Sequence, residues 1–236
     1  MEQTFAPART AGRRRDACAP AVAVVELWLA DSGVATQPAW IETHSAWLTS
    51  EERERLARFT RPQRRAQFLA GHILLRRVVA ACWCIDPRDV RVATRADGSP
   101  EVLVPAGVQC SLAHTGRWVA ALVQPGEADD WRPGVDIESM RSDRPIEAIV
   151  KVACGIDAGS REEAYRAWAQ HEAQIKAGPG RPAFVTTWEG CALAVCAGSW
   201  PRPAVVDLAA ADRPVPLDLT WTDGLAWPAA SHVDAG

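Results

Sequence analysis

Gly134-Val135-Asp136-Ile137-Glu138 is the stretch from which the fold of this chain can be read. Successive side chains of a strand point to opposite faces, so Val135 and Ile137 share one face and Asp136 and Glu138 the other. Downstream, Trp168-Ala169-Gln170-His171-Glu172-Ala173-Gln174-Ile175-Lys176 reads as a helix with Glu172 and Lys176 one turn apart. Three acids able to converge, with a lysine beside them, suit a hard divalent cation and a phosphate ester. Plainer readings stand beside this one. Acids on alternate strand positions also describe a solvated sheet face, and a Glu–Lys pair at this spacing describes a surface ion pair worth about 0.3–0.5 kcal/mol.

Outward from that strand, the element order repeats. Residues 22–29 read as a first strand. Thr49 caps a helix with Glu51 and Glu52 in its first turn, and Pro62 opens a longer one reaching about Cys84. A hairpin over 90–104 turns at Asp97-Gly98, and a second over 109–123 turns at Thr115-Gly116. After Glu138, helices at 144–153 and 161–177 precede strands at 183–188 and 191–199. Strand, two helices and hairpins thus occur twice. This predicts an α/β (α+β) fold of two similar lobes, 21–124 and 134–200. Residues 1–20 read as a disordered tail, and 201–236 as an irregular proline-rich one.

Composition narrows the function classes. The net charge of −3 over 236 residues gives no global field toward nucleic acid or an anionic membrane. The seven cysteines lack the paired spacing of a zinc site and read as buried thiols of a reducing cytosol. Glu26 and Asp31 interrupt or end the apolar run after Arg13-Arg14-Arg15, which therefore reads better as a first strand than as a secretion signal, and no run is long enough to span a bilayer. A cytoplasmic monomer is expected, with no nucleic-acid and no membrane partner.

Further candidates are cationic. His114, just before the Thr115-Gly116 turn, can reach a phosphate from the hairpin end, or can be a turn residue without a role. Between residues 51 and 77, Arg55, Arg61, Arg64 and Arg65 belong to an arginine-rich segment that is either a solvated helix face or an anion platform. Guanidinium grips phosphate in a bidentate fork. Sparse aromatic interleaving argues against a nucleic-acid groove.

Together these segments resemble the 4′-phosphopantetheinyl transferases, in particular the single-chain surfactin-synthetase-activating (Sfp) type, as a divergent member. Four segments carry the resemblance in the family's order: Phe68-Leu-Ala-Gly71-His-Ile-Leu-Leu-Arg76, Leu112-Ala-His114-Thr-Gly-Arg-Trp118, Gly134 to Glu138, and Trp168 to Lys176. The resemblance implies two α/β lobes related by a pseudo-twofold axis, with coenzyme A in the cleft between them. It implies transfer of the phosphopantetheine arm to a serine of an acyl or peptidyl carrier protein. Asp136, Glu138 and Glu172 would hold magnesium. Glu172 would help deprotonate the serine, Lys176 would stabilise the departing phosphate, and His114 with Arg55, Arg61, Arg64 and Arg65 would bind coenzyme A.

Several family positions differ. The lysine preceding the metal glutamate is His171, an arginine expected before Gly71 is Gln67, and the lysine of an Asp-Gly-Lys-Pro turn is Ser99. Ala113 replaces a serine, and 139–164 is short and lacks aromatic residues. Each lost charge-assisted hydrogen bond costs about 1.5–3 kcal/mol. A non-catalytic or weakly active coenzyme A or carrier-protein binding homologue is therefore the alternative. A metal-dependent nuclease is disfavoured, because Glu138 is followed by Ser139-Met140 rather than by a lysine two positions on.

Overall fold

The computed structural model describes residues 24–126, 132–178, 181–210 and 213–224. Its first half runs β1 (Glu26–Asp31), α1 (Pro38–Ser45), α2 (Ser50–Arg58), α3 (Pro62–Trp83), β2 (Arg91–Thr94), β3 (Pro100–Val104), β4 (Val108–Thr115) and β5 (Trp118–Pro125). The second half runs β6 (Gly134–Ser139), α4 (Ile146–Cys154), α5 (Arg161–Ala177), β7 (Ala183–Trp188) and β8 (Cys191–Cys196). In both halves the opening strand lies antiparallel beside the last strand of a hairpin, giving the orders β1-β5-β4 and β6-β8-β7. The repeated element order is therefore a repeated topology, and the two-lobed α/β expectation holds.

Strand alternation builds four layers. Trp28, Ala30, Val119 and Ala121 face α3, while Leu27, Leu29, Ala120 and Leu122 face the other way. Val135, Ile137, Leu193 and Val195 join that second set in one core shared by both sheets. The opposite face of the second sheet, with Ala192, Ala194 and Cys196, packs on the alanines of α5. Small residues on both surfaces let helix and sheet approach closely. Asp136 and Glu138 fall on this α5 side, as the period of two requires.

Side-chain hydroxyls stitch the lobes along the edge strands β4 and β6. Ser111 Oγ accepts from Val135 N (3.1 Å) and Thr115 Oγ1 accepts from Ser139 N (3.0 Å). These bonds satisfy backbone donors of an edge strand that no neighbouring strand covers. They also fix the acidic strand against the His114 strand.

Three expectations change. Strand β1 begins at Glu26, and the tail expected over 1–20 lies outside the described residues. Helix α1 was not foreseen, because Gln37 makes no side-chain cap, although Pro38 marks its first turn. The segment expected to be irregular after residue 200 supplies β9 (Arg202–Val206), parallel to β1, and two short strands, β10 (Val215–Pro216) on β9 and β11 (Thr222–Asp223) on β7. Prolines mask such strands in a sequence because they cannot donate to a ladder.

Candidate active site

Helix α5 crosses β6 with its residues in reverse order, so Trp168 meets Glu138 and Lys176 meets Asp136. Lys176 Nζ donates to Asp136 Oδ1 (2.8 Å) and to Val135 O (2.8 Å). Trp168 Nε1 donates to Glu138 Oε1 (3.0 Å), and Arg144 Nη1 to Glu138 Oε2 (3.1 Å). The Arg144 guanidinium also stacks over the Trp168 ring, 5.3 Å from its centroid. Close approach of helix and strand depends on Gly134: a Cβ there would sit 1.9 Å from the Ala173 carbonyl oxygen.

Asp136 is the most perturbed of the acids. Burial pushes its pKa up to about 7, opposed by Lys176 and reinforced by the nearby charges of Glu138 and Glu172. Its Oδ2 is buried without a hydrogen-bond partner. A desolvated, unpartnered carboxylate oxygen beside further acids is an acceptor shaped for a cation. The expected three-carboxylate group is not assembled in advance. Among the described residues no three His, Cys, Asp or Glu side chains come together as a metal-ligating set. Lys176 and Arg144 instead occupy Asp136 and Glu138, because buried carboxylates draw whatever counter-charge is at hand. The residues fit a divalent cation through Asp136 Oδ2.

Lys176 also lines a cavity of about 470 Å³ between the lobes. Its walls come from α2 and α3, the β2–β3 turn, β4 and the end of α5, with Arg55, Arg64, His114 and Arg132 among them. Arg64 Nη1 donates to the His114 ring, 2.5 Å from Nε2. Partial enclosure by the cavity walls first, then Arg64 and Lys176, lower the His114 pKa to about 4, which favours a neutral, accepting imidazole although the residue keeps an exposed face.

Of the expected cation set, His114, Arg55 and Arg64 line the cavity, whereas Arg61 and Arg65 do not. Arg61 is the N-cap of α3 and Arg65 follows Arg64 in its first turn, and both are exposed to solvent. Gln67 Nε2 donates to Gly116 O (2.8 Å), which ties α3 to the β4–β5 turn beside His114. His171 packs against Trp168, with ring centroids 5.6 Å apart. Arg76, read as part of an arginine face, is fully buried against Glu52. Arg132 and Arg144 escaped the sequence reading, since each sits in a loop and meets a partner that no local pattern names.

No family model matches the chain. It is 34% identical over 126 residues to a phosphopantetheinyl transferase of Thraustochytrium sp., covering 52% of this chain and 42% of that protein. It is 29% identical over 101 residues to the 4′-phosphopantetheinyl transferase Sfp of Bacillus subtilis, covering 42% of each. Over these stretches the chain is similar in sequence to 4′-phosphopantetheinyl transferases. The matches span about two fifths of the length of these transferases. Among solved structures, a holo-(acyl-carrier-protein) synthase from Bacillus anthracis str. Ames aligns with a TM-score of 0.39 and 16% identity, over 44% of this chain and 97% of that one.

Proposed function

We propose that this protein is a magnesium-dependent 4′-phosphopantetheinyl transferase acting in the cytoplasm on acyl or peptidyl carrier proteins. The double placement of Lys176 carries this reading: its ammonium pairs with Asp136, and the residue also lines the cationic cavity. A concave site of this size suits a cofactor-sized ligand, and its cations suit one bearing several phosphates. The names of the relatives point to coenzyme A as that ligand.

In this reading the carrier serine oxygen attacks the phosphorus bearing the pantetheine arm. A new P–O bond forms while the bond from that phosphorus to the bridging oxygen of the pyrophosphate breaks. The bridging oxygen leaves with adenosine 3′,5′-bisphosphate. Glu172 accepts the serine proton, directly or through water. Lys176 stabilises or protonates the departing phosphate. Arg55, Arg64 and neutral His114 hold the phosphates of the adenosine half. Asp136, Glu138 and Glu172 would hold magnesium, which when bound neutralises charge on the pyrophosphate.

Incubation with an apo-carrier protein, coenzyme A and magnesium, followed by intact-protein mass spectrometry, should show the carrier gaining one phosphopantetheine arm. Glu138→Ala and Glu172→Ala should abolish the gain. Carriers from fatty-acid, polyketide and peptide synthesis that all stay unmodified would overturn the enzymatic reading. Saturable coenzyme A binding without turnover would establish the second reading, a binding homologue. That reading is favoured by the carboxylates being paired with Lys176 and Arg144 rather than gathered as a metal-ligating set.

A further inference from the structure

The β2–β3 turn lines one lip of the cavity with Asp97, Gly98 and Ser99, none of them a cation, while Arg95 at its start pairs with Glu101 and stays out of the lining. Two arginines from elsewhere clasp it. Arg55 Nη1 donates to Gly98 O (3.2 Å) from α2. Arg132 Nη1 donates to Asp97 Oδ2 (2.9 Å) and Ser99 Oγ (3.2 Å) from the segment leading into β6. Asp97 itself is shaped by the turn: Ser99 N and Ser99 Oγ both donate to its Oδ1 (2.9 and 2.5 Å), leaving Oδ2 for Arg132.

The charges around this cavity are lopsided. Its lining holds four cations, Arg55, Arg64, Arg132 and Lys176, against one carboxylate, Asp97. Even with Lys176 paired to Asp136 behind the lining, cations outnumber carboxylates here, and the two lining histidines, His72 and His114, both have lowered pKa values. The Arg132 and Asp97 side chains are partly open to solvent, 37% and 51% accessible. An ion pair in that setting is held weakly, so a phosphate dianion can take over the guanidinium with two parallel donors.

We propose that Arg132 is a phosphate-binding residue for the coenzyme, supplying from the inter-lobe segment the charge that the β2–β3 turn lacks at Ser99. Asp97 and Ser99 park its guanidinium at the cavity lip, and a coenzyme phosphate displaces the Asp97 carboxylate from it. Only Pro133 separates Arg132 from Gly134, so the phosphate grip and the acidic strand β6 belong to one short piece of chain. This inference rests on the coenzyme A reading given above.

Coenzyme A binding, measured by isothermal titration calorimetry without carrier protein, separates the outcomes. Arg132→Ala should raise the Kd by about tenfold to a hundredfold, with an unchanged melting temperature because the side chain is partly open to solvent. Adding Ser99→Lys to Arg132→Ala should return the Kd to within about threefold of wild type, since the lysine would re-enter at the lip where the guanidinium was. Wild-type affinity in Arg132→Ala, or no recovery in the double variant, overturns the role of Arg132 alone. A wild-type protein that binds no coenzyme A at all overturns the transferase reading, and this inference falls with it.

Discussion

Lys176 Nζ sits 2.8 Å from both Asp136 Oδ1 and Val135 O, and the same residue lines the inter-lobe cavity. One lysine thereby holds the acidic strand, the end of α5 and the cationic pocket together. The Asp136 side chain is 11% exposed and that of Lys176 32%, so the pair is unequal. Removing the lysine strands a desolvated carboxylate, whereas removing both partners does not. Lys176→Met should cost about 1–3 kcal/mol in urea unfolding. Lys176→Met combined with Asp136→Asn should cost less than the single change. Additive losses in that double-mutant cycle would show that the pair does not couple.

Magnesium affinity should depend on pH through Asp136. Its carboxyl is raised to about 7, chiefly by burial, so a large fraction is protonated in the fold at neutral pH. The metal requires the ionised form, and its affinity should therefore rise with pH through about 7 and level off above it. The same shift makes the free fold lose stability as pH climbs from 3.8 toward 7, because the unfolded carboxyl ionises first. Magnesium-induced increases in melting temperature, recorded from pH 5.5 to 8.5, should grow through about pH 7 and then level off. Asp136→Asn should flatten the curve. A flat wild-type curve would mean that Asp136 takes no part in binding the metal.

Gly134 is required by distance rather than by backbone angle. The nearest atoms to an added Cβ are the carbonyl oxygen of Ala173 at 1.9 Å and its carbonyl carbon at 2.9 Å, and backbone atoms of a packed helix cannot step aside. Gly134→Ala must push α5 off β6, at a cost of about 1–3 kcal/mol or more. The push also lengthens the Lys176–Asp136 contact, so coenzyme A binding and stability should fall together. A Gly134→Ala protein with the wild-type urea midpoint would refute the close contact.

The legible parts of this chain were those where local pattern and tertiary demand coincide. Val135 and Ile137 alternate with Asp136 and Glu138, and the structure needs that alternation because one face joins the shared core and the other meets α5. Thr49 and Glu52 spell a capping box, and both reciprocal bonds form. What stayed hidden depends on partners far along the chain. Arg76 and Arg64 are indistinguishable in sequence, yet one is fully buried on Glu52 and the other touches His114 in the cavity. Arg132 meets a turn 35 residues away, through a loop with no period to read. Strand β9 pairs parallel with β1 across the whole chain, and Pro201 and Pro203 suppress its local signal.

Glu52 should govern the acid limb of stability. It is buried, closes the capping box of α2, and accepts from His72 Nδ1 (2.6 Å), Arg76 Nη1 (2.9 Å) and Arg76 Nη2 (2.5 Å) on α3. Burial alone would raise its pKa, but the bonds from His72 and Arg76 outweigh it and hold the carboxyl at about 2. An acid depressed in the fold stabilises it above the unfolded value, here 4.5, and that contribution is lost as pH falls toward 2. Glu52→Gln leaves the fully buried Arg76 guanidinium without its counter-charge, and breaking such a pair costs about 3–5 kcal/mol. Urea unfolding between pH 2 and 6 should show wild-type stability climbing with pH, and a shallower climb in Glu52→Gln. Arg55 lies one turn beyond Glu52 on α2 and lines the cavity, so loosening this anchor should also weaken coenzyme A binding at pH 7. Equal pH slopes in the two proteins would show that the Glu52 carboxylate does not carry this acid dependence.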